Sequence, residues 1–125
     1  MNGFSEYERY DALGLTDLVR RRQISADALL DAAIARVEAR NPSVNAVVMK
    51  LYDYGRQAIK AGLPDGPLTG VPFLIKDLSA ALAGVPTTRA SKFYADAVPS
   101  EDSEQVKRLS SCLEITFTNA FLMLD

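Results

Sequence analysis

The chain has 125 residues, 48% hydrophobic and 24% charged, which suits one globular domain and excludes extensive disorder. Its formal net charge of −2 is too small to draw it to nucleic acid or to an anionic membrane surface. No apolar run approaches the roughly 20 residues of a membrane-spanning helix, and the absence of histidine excludes Ser-His-Asp and Cys-His catalysis within these residues.

Glu6, Glu8 and Asp11 break any basic-then-apolar leader pattern at the start. Residues 11–22 are predicted to form a helix: Leu15, Leu18 and Val19 share a side, and Arg20, Arg21 and Arg22 suit a solvated C-terminal end. Ser25 is the N-cap expected for a second helix over 25–40, with Asp27 in its first turn. Leu29, Leu30, Ala33, Ile34 and Val37 make its apolar stripe, and Asn41-Pro42 is expected to end it. Residues 45–49 are short and β-branched and read as a strand. A third helix is predicted over 51–61, with Gly62 as its stop.

Residues 63–70 are rich in turn formers and read as a loop within the domain. The apolar run Val71-Pro72-Phe73-Leu74-Ile75 then reads as a buried strand with a proline near its start. A Gly84-Val85-Pro86-Thr87-Thr88 loop follows. A helix is predicted near 102–111, with Asp102 as cap and Gln105 placed for a capping box. Residues 113–117 read as a strand, and the chain closes on Ala120-Phe121-Leu122-Met123-Leu124. The fold class is α/β, and the predicted elements form one domain over 1–125.

One cysteine, Cys112, rules out an internal disulfide and a cysteine cage for zinc, and no cofactor or metal is expected. This usage fits a reducing, cytoplasmic setting. With no histidine to act as base, covalent chemistry would require another proton acceptor, and lysine is the candidate. Lys76 follows five apolar residues that would desolvate an amine and favour its neutral form. Composition alone favours a plainer reading, a charged Lys76-Asp77 turn at the surface end of a strand.

The stretch from Gly66-Pro67-Leu68-Thr69-Gly70-Val71-Pro72-Phe73-Leu74-Ile75 to Lys76-Asp77 closely resembles the catalytic-lysine segment of the amidase signature family. Agreement continues through Ala83-Gly84-Val85-Pro86-Thr87-Thr88, Ser91 and Phe93, then Pro99-Ser100-Glu101-Asp102-Ser103 and Val106-Lys107-Arg108-Leu109. Ala12-Leu13-Gly14-Leu15 and residues 25–47 resemble the helical entry region of such enzymes, so the resemblance spans about 7–109. Within the family it is most similar to bacterial amidases of the nylon-oligomer (6-aminohexanoate cyclic dimer) hydrolase subgroup.

The resemblance implies a Ser–cis-Ser–Lys mechanism acting on a small-molecule amide. One serine attacks the carbonyl, a second relays the proton, and Lys76 accepts it and later returns it to the leaving amine. It also implies helices on both faces of a mixed sheet, of which this chain would form an incomplete part. Family members carry both serines in a Gly/Ser-rich segment far downstream of the lysine, and none occurs here. Ser79, Ser91, Ser100 and Ser103 match non-catalytic positions, and Ser110-Ser111 has no glycine near it.

From Ser110 the sequence departs from the family pattern. The family continues with an Ala-Gly pair, a hydrophobic strand and Gly-Lys-Thr-Asn; here Thr118-Asn119 stands as its remnant, and Phe117 occupies the lysine position. Residues 110–125 therefore read as a divergent tail on a truncated N-terminal amidase portion, inactive by itself. The rival expectations are a non-catalytic interaction module and a decayed gene product. A Gly/Ser-rich remnant in the downstream DNA would support truncation, and an intact unrelated gene there would oppose it. Phe73, Leu74, Ile75, Phe117, Phe121 and Leu122 are the candidates for exposure, predicting self-association or pairing with a complementary amidase fragment.

Overall fold

The computed structural model describes residues 4–111 and the backbone of 114–119. A 3₁₀ turn, Tyr7–Arg9, leads into α1 (Ala12–Arg20) and α2 (Ala26–Val44), followed by β1 (Val47–Lys50), α3 (Tyr52–Ala61) and β2 (Pro72–Lys76). A second 3₁₀ turn, Lys92–Tyr94, precedes α4 (Glu104–Ser110) and β3 (Glu114–Asn119). The strands form one sheet in the order β1-β3-β2, with β3 antiparallel to β1 and parallel to β2. This mixed α/β arrangement is the expected one.

Local sequence explains the helix boundaries. The Asp11 side chain accepts from the Gly14 N–H at 2.8 Å and starts α1. The helix stops in a Schellman arrangement, in which the Arg22 N–H donates to the Val19 carbonyl and the Gln23 N–H to the Leu18 carbonyl. Arg22 takes φ +56°, the left-handed conformation such a stop requires. Arg20, Arg21 and Arg22 are all exposed, as a solvated helix end should be. Ser25 caps α2 through the Ala28 N–H, as expected.

The strand expected over 45–49 begins only at Val47, and the boundaries of α2 and α4 also differ from expectation. Helix α2 runs through Pro42 to Val44 instead of ending at Asn41. Proline removes one helical N–H, but Asn41 supplies tertiary bonds that hold this turn. Its side-chain amide donates to the Val47 carbonyl at 2.9 Å and accepts from the Val47 N–H at 2.8 Å. Asn45 then ends the helix in the left-handed region, and its N–H donates to the Asn41 carbonyl. For α4, the cap is Ser103, which accepts from the Val106 N–H at 3.3 Å. Asp102 instead accepts from the Ala83 N–H at 2.7 Å and fastens the preceding loop.

The core is three linked clusters. Leu15, Leu29 and Val71 join α1, α2 and the approach to β2, with Leu68 packed on them. Leu68 also packs on the cluster of Ile75, Ala80, Leu82 and Val106 beneath the end of β2. Tyr7 links the first cluster to Ala33 and Val47. Gly70 allows the first two clusters to close: it has φ +79°, and a Cβ there would lie 3.2 Å from Val19 Cγ1.

β2 is not buried along its whole length. Pro72 and Ile75 are buried, whereas Leu74 is 39% exposed. Among the described residues β2 lies at an edge of the sheet, and at Leu74 the apolar run lacks cover on one face. Of the residues expected to be exposed, Ile75 is in the core and Phe73 is half-buried. The side chain of Phe117, and Phe121 and Leu122 altogether, lie outside what the structure describes.

An exposed ionic cluster joins α2, β1 and α3. Glu38 Oε1 accepts from Lys50 Nζ at 2.7 Å and from the Tyr52 hydroxyl at 2.5 Å. These two bonds, Lys50 first, hold the Glu38 carboxyl below its ordinary value of 4.5. A folded-state value below the unfolded one makes the contribution present above pH 4.5 and lost as the pH falls below it. Glu38→Gln is therefore expected to flatten the acid limb of a stability–pH curve measured by urea unfolding. An unchanged acid limb would refute this linkage.

Candidate functional site

The site is built at the carboxyl end of β2. Parallel strands leave a crevice outside their carboxyl ends, where α/β folds commonly place ligands. The register pairs Ile75 with Thr118 and Lys76 with Asn119, and Asn119 also pairs with Val47 of β1. The backbone of Thr118-Asn119, read from sequence as a family remnant, therefore lies alongside Ile75-Lys76.

Lys76 is exposed at this end, so the apolar run leading into it does not bury its side chain. The strand alternation explains this: Ile75 turns into the core and Lys76 turns away from it. The next residue does the opposite. Asp77 is 6% exposed, and among the described residues the only other buried polar residue is Thr16. The chain turns sharply here, with the Leu78 N–H donating to the Lys76 carbonyl at 2.8 Å across Asp77.

The Asp77 carboxylate reaches eleven residues along the chain to Thr88. Its Oδ1 accepts from the Thr88 N–H at 2.6 Å, and its Oδ2 accepts from the Thr88 hydroxyl. Thr88 opens a turn in which Arg89 and Ala90 have φ +52° and +54°. Two successive non-glycine residues in the left-handed region are strained, and such strain persists only where surrounding bonds impose it. The Ala90 N–H donates to Thr88 Oγ1 at 3.3 Å, and the Ser91 N–H to the Thr88 carbonyl at 2.9 Å.

The rest of this loop is closed on itself. The Gly84 N–H donates to the Pro99 carbonyl and the Thr87 N–H to the Ala97 carbonyl, both at 3.0 Å. Phe93 stands at its tip, 87% exposed, with its ring edge-on to Tyr94 at 5.0 Å. Arg89 lies over the Tyr94 ring at 5.2 Å.

The serines near Lys76 in sequence have local structural uses where bonds are seen. Ser91 accepts from the Phe93 N–H at 3.3 Å, Ser103 caps α4, and Ser111 donates to the Arg108 carbonyl at 2.7 Å. Ser79 and Ser100 are exposed. Among the described residues no group of three or more His, Cys, Asp or Glu side chains is placed to hold a metal ion. Nor is any helix among them long and apolar enough to cross a membrane.

Sequence reasoning singled out Lys76 and passed over the Asp77–Thr88 clamp. In sequence Asp77 reads as half of a surface turn and as the last residue of the family-like segment, with no partner assigned. The signal was its position directly after an apolar run, where a carboxylate is either solvated or bound by donors from elsewhere in the chain.

Comparison with known proteins identifies the family. A family model described as Amidase matches residues 28–112. The 6-aminohexanoate-cyclic-dimer hydrolase of Paenarthrobacter ureafaciens is 42% identical over 82 residues, 66% of this chain and 16% of that protein. A solved structure of 6-aminohexanoate cyclic dimer hydrolase complexed with substrate superposes with a TM-score of 0.81 at 32% identity, covering 88% of this chain and 23% of that one. A bacterial aryl acylamidase of the amidase signature enzymes gives a TM-score of 0.76 at 32% identity, over 88% of this chain and 25% of that one. The chain thus spans less than a quarter of the length of the cyclic dimer hydrolases it matches.

Proposed function

Because the chain belongs to the amidase family, we propose that it contributes the lysine-bearing wall of an amide-hydrolysing site, with Lys76 as the proton acceptor. The supporting observation is the place of Lys76: the carboxyl end of a strand parallel to its neighbour, inside the family-matched region. In this reading a serine hydroxyl attacks a small-molecule amide carbonyl and forms an acyl-enzyme. A second serine relays the proton to Lys76, which returns it to the departing amine, and water then releases the acid. Both serines come from polypeptide outside these residues, so the chain alone is inert. Its one cysteine fits a reducing compartment such as the cytoplasm.

The test is complementation. The chain is co-expressed with the portion of the Paenarthrobacter ureafaciens hydrolase that follows the matched stretch, and the mixture is assayed on 6-aminohexanoate cyclic dimer. The expected result is hydrolysis by the assembly, none by either piece alone, and labelling by a serine-reactive fluorophosphonate only in the added piece. Specific labelling of this chain, or an assembly that forms without hydrolysing any amide, would sink the reading.

A second reading, a non-catalytic interaction module, is favoured by the solvent exposure of Phe93 and Leu74. It pairs this chain with itself or with a complementary amidase fragment. Mass measured by light scattering on a sizing column separates these outcomes, since a self-pairing chain elutes as a dimer without any added piece.

A further inference from the structure

The buried Asp77 carboxylate has no part in the proton transfers proposed above, yet it adjoins their acceptor and is tied to a strained turn. Burying a carboxylate is unfavourable unless donors satisfy it. Here one residue, Thr88, provides a backbone N–H to one oxygen and a hydroxyl to the other. The same Thr88 begins the Arg89–Ala90 turn, whose two left-handed residues need an external restraint. Asp77 is also the central residue of the tight turn that closes on the Lys76 carbonyl. Fixing the Asp77 side chain therefore fixes the peptide that carries Lys76 and the turn at 88–91 in one step.

We propose that Asp77 is a positioning residue for Lys76, and that its clamp on Thr88 joins the lysine-bearing strand end and the Arg89–Ala90 turn into one rigid wall facing the amide substrate. The proposal rests on the reading of Lys76 as proton acceptor. Preorganisation of this kind matters because an acid–base group misplaced by about 1 Å loses much of its effect. Strain kept at 88–91 by a buried carboxylate, when a glycine would relieve it, fits a turn whose shape serves a site.

The experiment uses the isotopically labelled full chain and two NMR readouts, amide exchange at Thr88 and the ε-carbon resonance of Lys76. Thr88→Val removes the hydroxyl donor and keeps the N–H, whereas Asp77→Ala removes both acceptors. Both variants are expected to lower protection of the residue-88 amide, relative to its intrinsic exchange rate, by about tenfold or more, the scale of one lost charge-assisted bond, and to displace the Lys76 resonance. Asp77→Asn is expected to preserve both readouts, because its amide accepts from the Thr88 N–H and donates to Oγ1. Thr88→Ser is likewise expected to match the parent chain, and Lys76→Ala is expected to leave Thr88 exchange unchanged.

A Lys76 resonance unmoved in Thr88→Val and Asp77→Ala while protection of the residue-88 amide falls would overturn the proposal, since the clamp would then be purely structural. Asp77→Asn behaving like Asp77→Ala would also overturn it, because charge and not the clamp would be at work. If Asp77→Ala does not fold, Thr88→Val and Thr88→Ser decide the matter. The amidase reading fails separately, in the hydrolysis assay: a displaced Lys76 resonance beside an inert assembly sinks that reading and leaves the clamp standing.

Discussion

Replacing Lys76 with alanine is expected to lower amide hydrolysis by the complemented assembly by roughly 10²- to 10⁴-fold, the range associated with removing a general acid–base group. The loss should fall on kcat, with KM little changed, because proton acceptance is needed in the transition state and not for binding. Lys76→Arg should be nearly as impaired: a guanidinium keeps its proton and cannot act as acceptor. Lys92→Ala provides the control, since Lys92 is an exposed lysine on the loop that Asp77 clamps. A kcat for Lys76→Ala within about twofold of the parent value would remove the proton-acceptor role.

That prediction depends on something the apolar run did not deliver. In sequence, five apolar residues before a lysine suggested desolvation of the amine. In the structure they bury Ile75 and expose Lys76, because a strand sends successive side chains to opposite faces. Whatever covers Lys76 in an active site must then arrive from outside the apolar run. This agrees with a chain that spans 16% of its curated hydrolase relative. The flanking motifs singled the lysine out, whereas its environment is a tertiary property that a linear pattern does not carry.

The same division runs through the fold. The cap at Ser25 and the helix start at Asp11 were legible, since each rests on a short-range bond between a side chain and an N–H three residues on. The glycine stop at Gly62 was legible for a similar reason, and its φ is +97°. The boundaries that moved were those settled by distant partners. Asn41 sustains α2 past a proline through Val47, and Asp102 gives up the cap position to Ser103 because it binds Ala83. The Asp77–Thr88 clamp belongs to this second kind, and so was invisible until both ends were placed.

The clamp also depends on what lies beneath it, and there the largest stability effect is expected. Leu82 is 2% exposed and packs with Ile75, Ala80 and Val106, so one side chain joins the strand end, the chain after Asp77 and helix α4. Leu82→Ala would remove three carbons from a place bounded by a strand and a helix, where collapse into the gap is restricted. The expected cost is about 2–5 kcal/mol, the range for such core truncations. Against the roughly 5–15 kcal/mol typical of a whole domain, this is a large share of the stability. Urea unfolding should show a lowered midpoint with little change in slope. Leu13, 63% exposed on α1, gives the contrast: Leu13→Ala should stay within about 0.5 kcal/mol. Equal effects at the two positions would mean that the cluster under Lys76 is not a packed core, and the rigid wall inferred above would lose its support.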